Sequence, residues 1–357
     1  MTQTGLDEFL HDTQPQTTSS NADEDDTDIN VESDQEKQRQ DKFILDGLRA
    51  NDPLAFLAAL GVVRVLSSME NISNAKLSWR DNGSHWTPAL HLGTGLSKDE
   101  LTHTLTEHLR AHENALRYQM STDSSVVDKL SNLTTEKFRE LLETTHVGSE
   151  NERALGSYAT DAFEDHPEIA EFESREEGTA LTRLNLVEFG GALKFIKSQR
   201  KLIEETTQQK VRRTLFQLWD YDDDASKLRT LRWSPTDARR GAYTGVDPTN
   251  LPKRTMHGAN RLAVEGSRMH TVSPTETGGA TVGFLQLDTG EYVFQYPLWT
   301  DPIGVPMIRT MLTHPDVINQ DPTLEAIHGV QKVLRSEVEV NDRYRNLGRG
   351  VAVTNDS

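Results

Sequence analysis

The sequence predicts an α+β fold of mixed helices and largely antiparallel strands, with a disordered acidic tail at its N-terminus. Three observations lead there. Apolar residues recur at helical spacing in one stretch (Leu54, Leu57, Ala58, Gly61, Val62, Val65) and run in short or alternating blocks in others, such as GGATVGFLQL and EYVFQYPLW. No regular alternation of strand and helix patterns appears, as a parallel sheet would require. Residues 1–40 hold 11 acids against two bases, and His11 to Gln40 offer few large apolar groups, so burial cannot recover their ordering entropy.

The elements follow in order. The fold proper begins at KFILDGLRANDPLAFLAALGVVRVLSSM, where Asp52 suits an N-cap and Pro53 a first helical residue. That helix is apolar nearly all round and is expected to be buried, with Ala58, Ala59 and Gly61 admitting another element closely. KLSWRD and HWTPALHL predict short strands in a hairpin turning near Asp81, Asn82 and Gly83. KDELTHTLTEHLRAHENALRYQ predicts an amphipathic helix, and TEKFRELLETT another. Val147 to Thr179 is acidic and rich in turn formers, so the expected division is a tail (1–40), an N-terminal α+β region (41–150) and a C-terminal one (151–357). A strand through Leu184, Leu186 and Val187 is expected to meet Gly190 and Gly191. A helix then carries Leu193, Phe195, Ile196 and Leu202 on one face, with Lys194, Lys197, Arg200 and Lys201 over much of the rest. PMIRTML reads as a short helix.

Charge is unevenly spread. The chain carries -18 at pH 7, from 56 acids and 38 bases of which 13 are lysine, a balance that suits a salty cytoplasm. Residues 191–270 reverse it, with 16 bases and nine acids. A basic zone inside an acidic protein is the electrostatic footprint of a polyanion partner, unless its bases pair with neighbouring acids. No apolar run reaches bilayer length and no signal peptide pattern opens the chain, so a cytoplasmic protein is expected. The lack of cysteine excludes disulfides, thiolate metal sites and a thiol nucleophile.

Familiar catalytic motifs are missing: no Walker phosphate loop, dinucleotide fingerprint, zincin helix or nucleophile elbow. HTLTEHLRAHE places His108 and His112 one turn apart near His103 and Glu107, but offers no evident third ligand. Asp222, Asp223 and Asp224 raise a metal-dependent nuclease, with Glu265 a distant further carboxylate. Three adjacent aspartates in a turn cannot all converge on a metal pair, however, and a capping turn accounts for them better. No catalytic residue, cofactor or resident metal is expected.

LRWSPTDARRGAYTG offers a better candidate. Arg232, Arg239 and Arg240 supply forks for phosphate, and Trp233 and Tyr243 can stack on bases or brace the segment from the core. Lys253 and Arg254, then Arg261 and Arg268, extend the positive footprint. At the N-terminus, Gln3, Leu6, Phe9 and Leu10 follow the spacing Q-x-x-L-x-x-F-L, which resembles the peptide that archaeal replication and repair proteins insert into the sliding clamp.

Four segments, in order, resemble the compact large-subunit family of type I-G (formerly I-U) CRISPR surveillance complexes, which are Cascade-like. They are DPLAFLAALGVVRVL, with Pro53, Phe56, Leu60, Gly61 and Arg64; LNLVEFGGALKFI (184–196); LWDYDDDASKLRTLRWSPTDARRGAY (218–243); and GANRLAVEGSRM (258–269). Ser234 stands where that family more often has aspartate. The resemblance implies a non-catalytic subunit that meets guide RNA and backbone subunits, reads the motif flanking target double-stranded DNA, and helps recruit a separate helicase-nuclease. On that footing Lys194, Lys197, Arg200, Lys201, Arg232, Arg239, Arg240, Lys253 and Arg254 are expected at phosphates. Two other readings stand beside it: a DNA-processing or repair protein tethered to the clamp, and a structural complex subunit without direct DNA contact.

Overall fold

The computed structural model describes residues 38–72, 74–111, 118, 120, 125–131, 133–145, 150–161, 179–188, 194–226, 229–236, 254–275, 278–319, 329–341 and 344–353. Gln3, Leu6, Phe9 and Leu10 lie outside them with residues 1–37, as do Arg239, Arg240, Tyr243 and Lys253.

The chain is a mixed α+β fold whose strand pairings are antiparallel. Strand β1 (Gln40–Ile44) lies beside β3 (Trp86–Leu96), which pairs on its other side with β2 (Lys76–Asp81). The β2–β3 hairpin turns where expected: Gly83 takes a φ of 88° and donates its N–H to Asp81 Oδ1 at 2.8 Å. Between β1 and β2 runs α1 (Pro53–Ser67), capped by Asp52, whose Oδ1 accepts from Leu54 N at 2.9 Å. Helix α2 (Lys98–Ala111) opens on a capping box. Glu100 N donates to Ser97 Oγ at 3.1 Å, and Ser97 N donates to Glu100 Oε2 at 2.7 Å.

Helices α3 (Thr135–Thr144) and α4 (Glu150–Tyr158) precede the ribbon β4 (Ala159–Asp161) with β5 (Thr179–Leu181). The strand expected through Leu184, Leu186 and Val187 is not formed. These side chains are buried, but the Leu184 carbonyl accepts from Leu186 N at 3.0 Å and from the Trp233 indole at 2.8 Å, which folds the segment into a turn. Helices α5 (Phe195–Glu204) and α6 (Gln208–Phe216) follow. The short pair β6 (Asp223–Asp224) and β7 (Arg254–Thr255) leads into α7 (His257–Ser267), a helix buried along its whole length.

A ribbon of β8 (Val272–Thr275) and β9 (Gly278–Thr281) precedes the larger sheet. That sheet runs β10 (Phe284–Gln286), β11 (Tyr292–Trp299), β12 (Val330–Asn341), β13 (Tyr344–Leu347), with β14 (Val351–Ala352) also on β12. Helices α8 (Val305–Leu312) and α9 (Pro315–Asn319) fall between β11 and β12.

One contiguous apolar core joins these parts. At its centre α1 crosses α7 with backbones almost touching. A Cβ on Gly61 would collide with the Leu262 carbonyl, and one on Gly266 with the Leu57 carbonyl. Phe56 of α1 reaches both sheets, its ring 5.7 Å from Trp79 on β2 and 4.3 Å from Tyr296 on β11. The Trp299 indole donates to the Leu77 carbonyl at 2.7 Å, tying the same two sheets by hydrogen bond. No helix among the described residues is long and apolar enough to cross a membrane.

Candidate nucleic-acid interface

Helix α5 buries Phe195, Ile196, Leu202 and Ile203 and turns Lys197 and Arg200 toward the 125–131 segment. Two carboxylates fix that meeting. Glu188 accepts from Phe195 N (2.8 Å), Leu130 N (2.9 Å), Ser131 N (2.7 Å) and the Asn185 amide (3.0 Å), so it joins the helix start to the neighbouring turn. The Asp128 carbonyl takes the next two helix donors, Ile196 N at 3.1 Å and Lys197 N at 3.2 Å.

The Asp128 side chain then gathers Lys194 Nζ at 2.9 Å, Lys197 Nζ at 3.5 Å and Arg200. Burial alone would raise its carboxyl. The Lys194 hydrogen bond and the charges of Arg200, Lys194 and Lys197 outweigh burial and hold it below the usual range. Three cations thus share one carboxylate, with Lys194 37% and Lys197 40% exposed. Beside them opens a depression of about 510 Å³, walled by Lys129, Lys137, Lys194 and Glu140 around Val126, Val127 and Leu133. Among the described residues, Lys129, Lys137, Lys194, Lys197 and Arg200 meet the carboxylates of Asp128, Glu140 and Glu188 around an apolar floor, an arrangement that can accept a polyanion that also carries apolar faces.

The remaining expected residues are placed differently. Lys201 turns to Glu204 at 2.6 Å on its own helix. Arg254 pairs with Asp222 at 3.1 Å and remains 35% exposed. Arg232 is half-buried with φ 63°, a left-handed conformation rare for residues other than glycine. A stacking role is not open to Trp233: it is wholly buried, with its indole on the Leu184 carbonyl and its ring 6.3 Å from Phe195. It braces the segment instead.

The residues leading into the arginine-bearing stretch are pinned on three sides. Leu231 N donates to Asn260 Oδ1 at 3.0 Å, Ser234 Oγ to Asp52 Oδ2 at 2.7 Å, and the Asn346 amide to the Ser234 carbonyl at 2.7 Å. Aspartate at 234 would set two buried carboxylates against each other; serine supplies a donor.

Arg261 and Arg268 correct the expected footprint. They are 0% and 2% exposed and bind Glu265 at 2.8 and 3.1 Å, so they do not extend the surface charge. Glu265 is thereby removed from any site with the aspartate turn. Those aspartates diverge: Asp222 to Arg254, Asp223 to Arg213 (2.7 Å) and the His257 N–H (2.7 Å), and Asp224 to Ser226. Among the described residues no group of three or more His, Asp or Glu is placed to hold a metal, and His112 lies outside them.

Lys129 and Lys137 were missed by sequence reasoning, since they fall in an unremarkable charge region. The signal that could have found them was Asp128 beside Lys129, but nothing local marks it as the partner of a helix 66 residues on. Comparison with protein-family models, curated proteins and solved structures finds no match.

Proposed function

We propose that the chain is a non-catalytic nucleic-acid-binding large subunit of an RNA-guided CRISPR antiviral complex in the cytoplasm. In this role it contacts target DNA beside the flanking motif and helps recruit a separate helicase-nuclease. The observation that carries the binding role is the convergence of Lys194, Lys197 and Arg200 on the single carboxylate of Asp128, at a depression also walled by Lys129 and Lys137. In a chain of net charge -18, that local excess supports a polyanion partner. The order of the four segments, from the α1 helix through the tryptophan block to α7, supports the more specific assignment. Guide RNA and backbone subunits would complete the complex, with Arg239, Arg240 and Lys253 adding phosphate contacts.

The test replaces Lys129, Lys137 and Lys194 together with glutamine and measures DNA and RNA affinity against salt. Each phosphate that is no longer neutralised lowers the log–log salt slope by about 0.9 on duplex DNA and about 0.7 on single strands. The expected result is a slope smaller by about two to three and weaker binding at every salt, with folding unchanged because these side chains are at the surface. Unaltered slope and affinity would remove the interface. Copurification with guide RNA and repeated backbone subunits tests the complex itself, and recovery of the sliding clamp alone would favour the tethered repair reading.

A further inference from the structure

The depression beside Lys194 is held in shape by the backbone around it. Val127 N donates to the Tyr118 carbonyl at 2.8 Å and Met120 N to the Ser125 carbonyl at 2.9 Å, which laces two short stretches together. Arg200 Nη1 donates to the Val127 carbonyl at 3.2 Å, and the Glu188 carboxylate accepts from Leu130 N and Ser131 N at 2.9 and 2.7 Å. A wall fixed in this way has little left to order when a ligand enters.

Its lining mixes two chemistries. Met120 and Leu133 are buried, whereas Val126 is 48% exposed. A lone exposed valine on a convex surface is ordinary, but this one lines a concavity of about 510 Å³, the size class that encloses a small molecule. Lys129, Lys137 and Lys194 stand around it. Asp128 and Glu140 share the wall, and Lys194 Nζ donates to Asp128 at 2.9 Å, so these cations are matched in part. What sets the place apart is the apolar floor between charged groups, and not charge alone.

Duplex nucleic acid cannot use such a floor. Its bases lie face to face in the stack, and it offers a protein its phosphates and groove edges. A single strand can turn one base outward and lay its face on apolar side chains while its phosphates stay with cations. A bare phosphate ion would leave the floor uncovered, and an apolar peptide would leave the lysines without an anion. We propose that the depression receives one unstacked nucleotide of a single-stranded nucleic acid, its base against Val126 and Val127 and its phosphate toward Lys129, Lys137 and Lys194. This deepens the nucleic-acid reading above and rests on it.

The test compares three probes on the full chain by fluorescence anisotropy at one salt concentration. They are a short oligothymidylate, an abasic strand of equal length that keeps the phosphates and lacks the bases, and the duplex of the oligothymidylate with oligodeoxyadenylate. The expected result is a preference of about fivefold or more for the oligothymidylate over the abasic strand. Val126→Asn, an uncharged change at an exposed position, should erase that preference and leave duplex affinity unaltered.

Equal wild-type affinity for the two single strands would overturn the proposal, as would a preference that Val126→Asn leaves intact. The lysine interface is judged separately. Lys129, Lys137 and Lys194 replaced together by glutamine should weaken both single strands by a similar factor and lower the salt slope. That response without a base preference, or binding to duplex alone, keeps the interface and removes the nucleotide pocket. Binding to none of the three probes removes both.

Discussion

At the scale of single residues, Asp52 does two things with one carboxylate. One oxygen caps α1 through Leu54 N, and the other accepts the hydroxyls of Tyr221 at 3.0 Å and Ser234 at 2.7 Å. Burial pushes its carboxyl up to about 6, against the hydrogen bonds from Ser234, Tyr221 and the Leu54 and Ala55 backbone. The folded chain therefore binds this proton more tightly than the unfolded chain, whose value is near 3.8. The stability this gives is fully present below about pH 4 and is lost as pH rises through about 6. An asparagine at this position would cap the helix without that loss. D52N is expected to gain up to about 2–3 kcal/mol at pH 7 and almost nothing at pH 4 in denaturant titrations. Destabilisation greater at pH 7 than at pH 4 would show that the ionised form is the better partner. The sequence announced Asp52 as a cap, because an Asp-Pro pair before an apolar run is a local signal. It could not announce Tyr221 and Ser234, which lie 169 and 182 residues away. Arg261 and Arg268 misled for the same reason: a formal charge does not say whether a carboxylate waits in the core.

At the scale of elements, the crossing of α1 and α7 sets the packing. Exposed helical glycine replaced by alanine usually gains about 1 kcal/mol. At Gly61 or Gly266 the added methyl meets a main-chain carbonyl that cannot rotate away. Each single alanine variant is expected to lose about 1–3 kcal/mol or more, seen as a lowered unfolding midpoint. A gain in stability would mean that the two helices can slide apart freely. This crossing was partly legible, since a glycine inside an apolar helical run signals close approach. Helices α3, α5 and α8 were legible by apolar spacing, and the β2–β3 hairpin by its Asp-Asn-Gly turn. The turn at Leu184–Val187 was not. Its apolar run fits a strand equally well, and only the distant Trp233 indole, claiming the Leu184 carbonyl, decides against one.

At the scale of the whole molecule, charge is segregated, and its sign along the chain was legible where its spatial convergence on Asp128 was not. Removing residues 1–37 takes away eleven acids and one lysine and brings the net charge from -18 to -8. Long-range repulsion of a polyanion falls accordingly. The truncated chain is expected to associate with DNA faster at low salt, and the two chains should converge once the Debye length shrinks to a few ångströms, near 1 M salt. Identical association rates at low salt would show that the N-terminal acids do not influence encounter.

The frame around Leu231 to Ser234 has a consequence in time as well as in space. Its ties reach 29 residues to Asn260, 112 to Asn346 and 182 to Asp52. Contacts so distant along the chain close late in folding. A chain emerging from the ribosome carries Leu231 to Ser234 before it owns Asn260 and Asn346, which hold them. The frame therefore closes only once the last strands are made, because Asn346 in β13 supplies one of its ties.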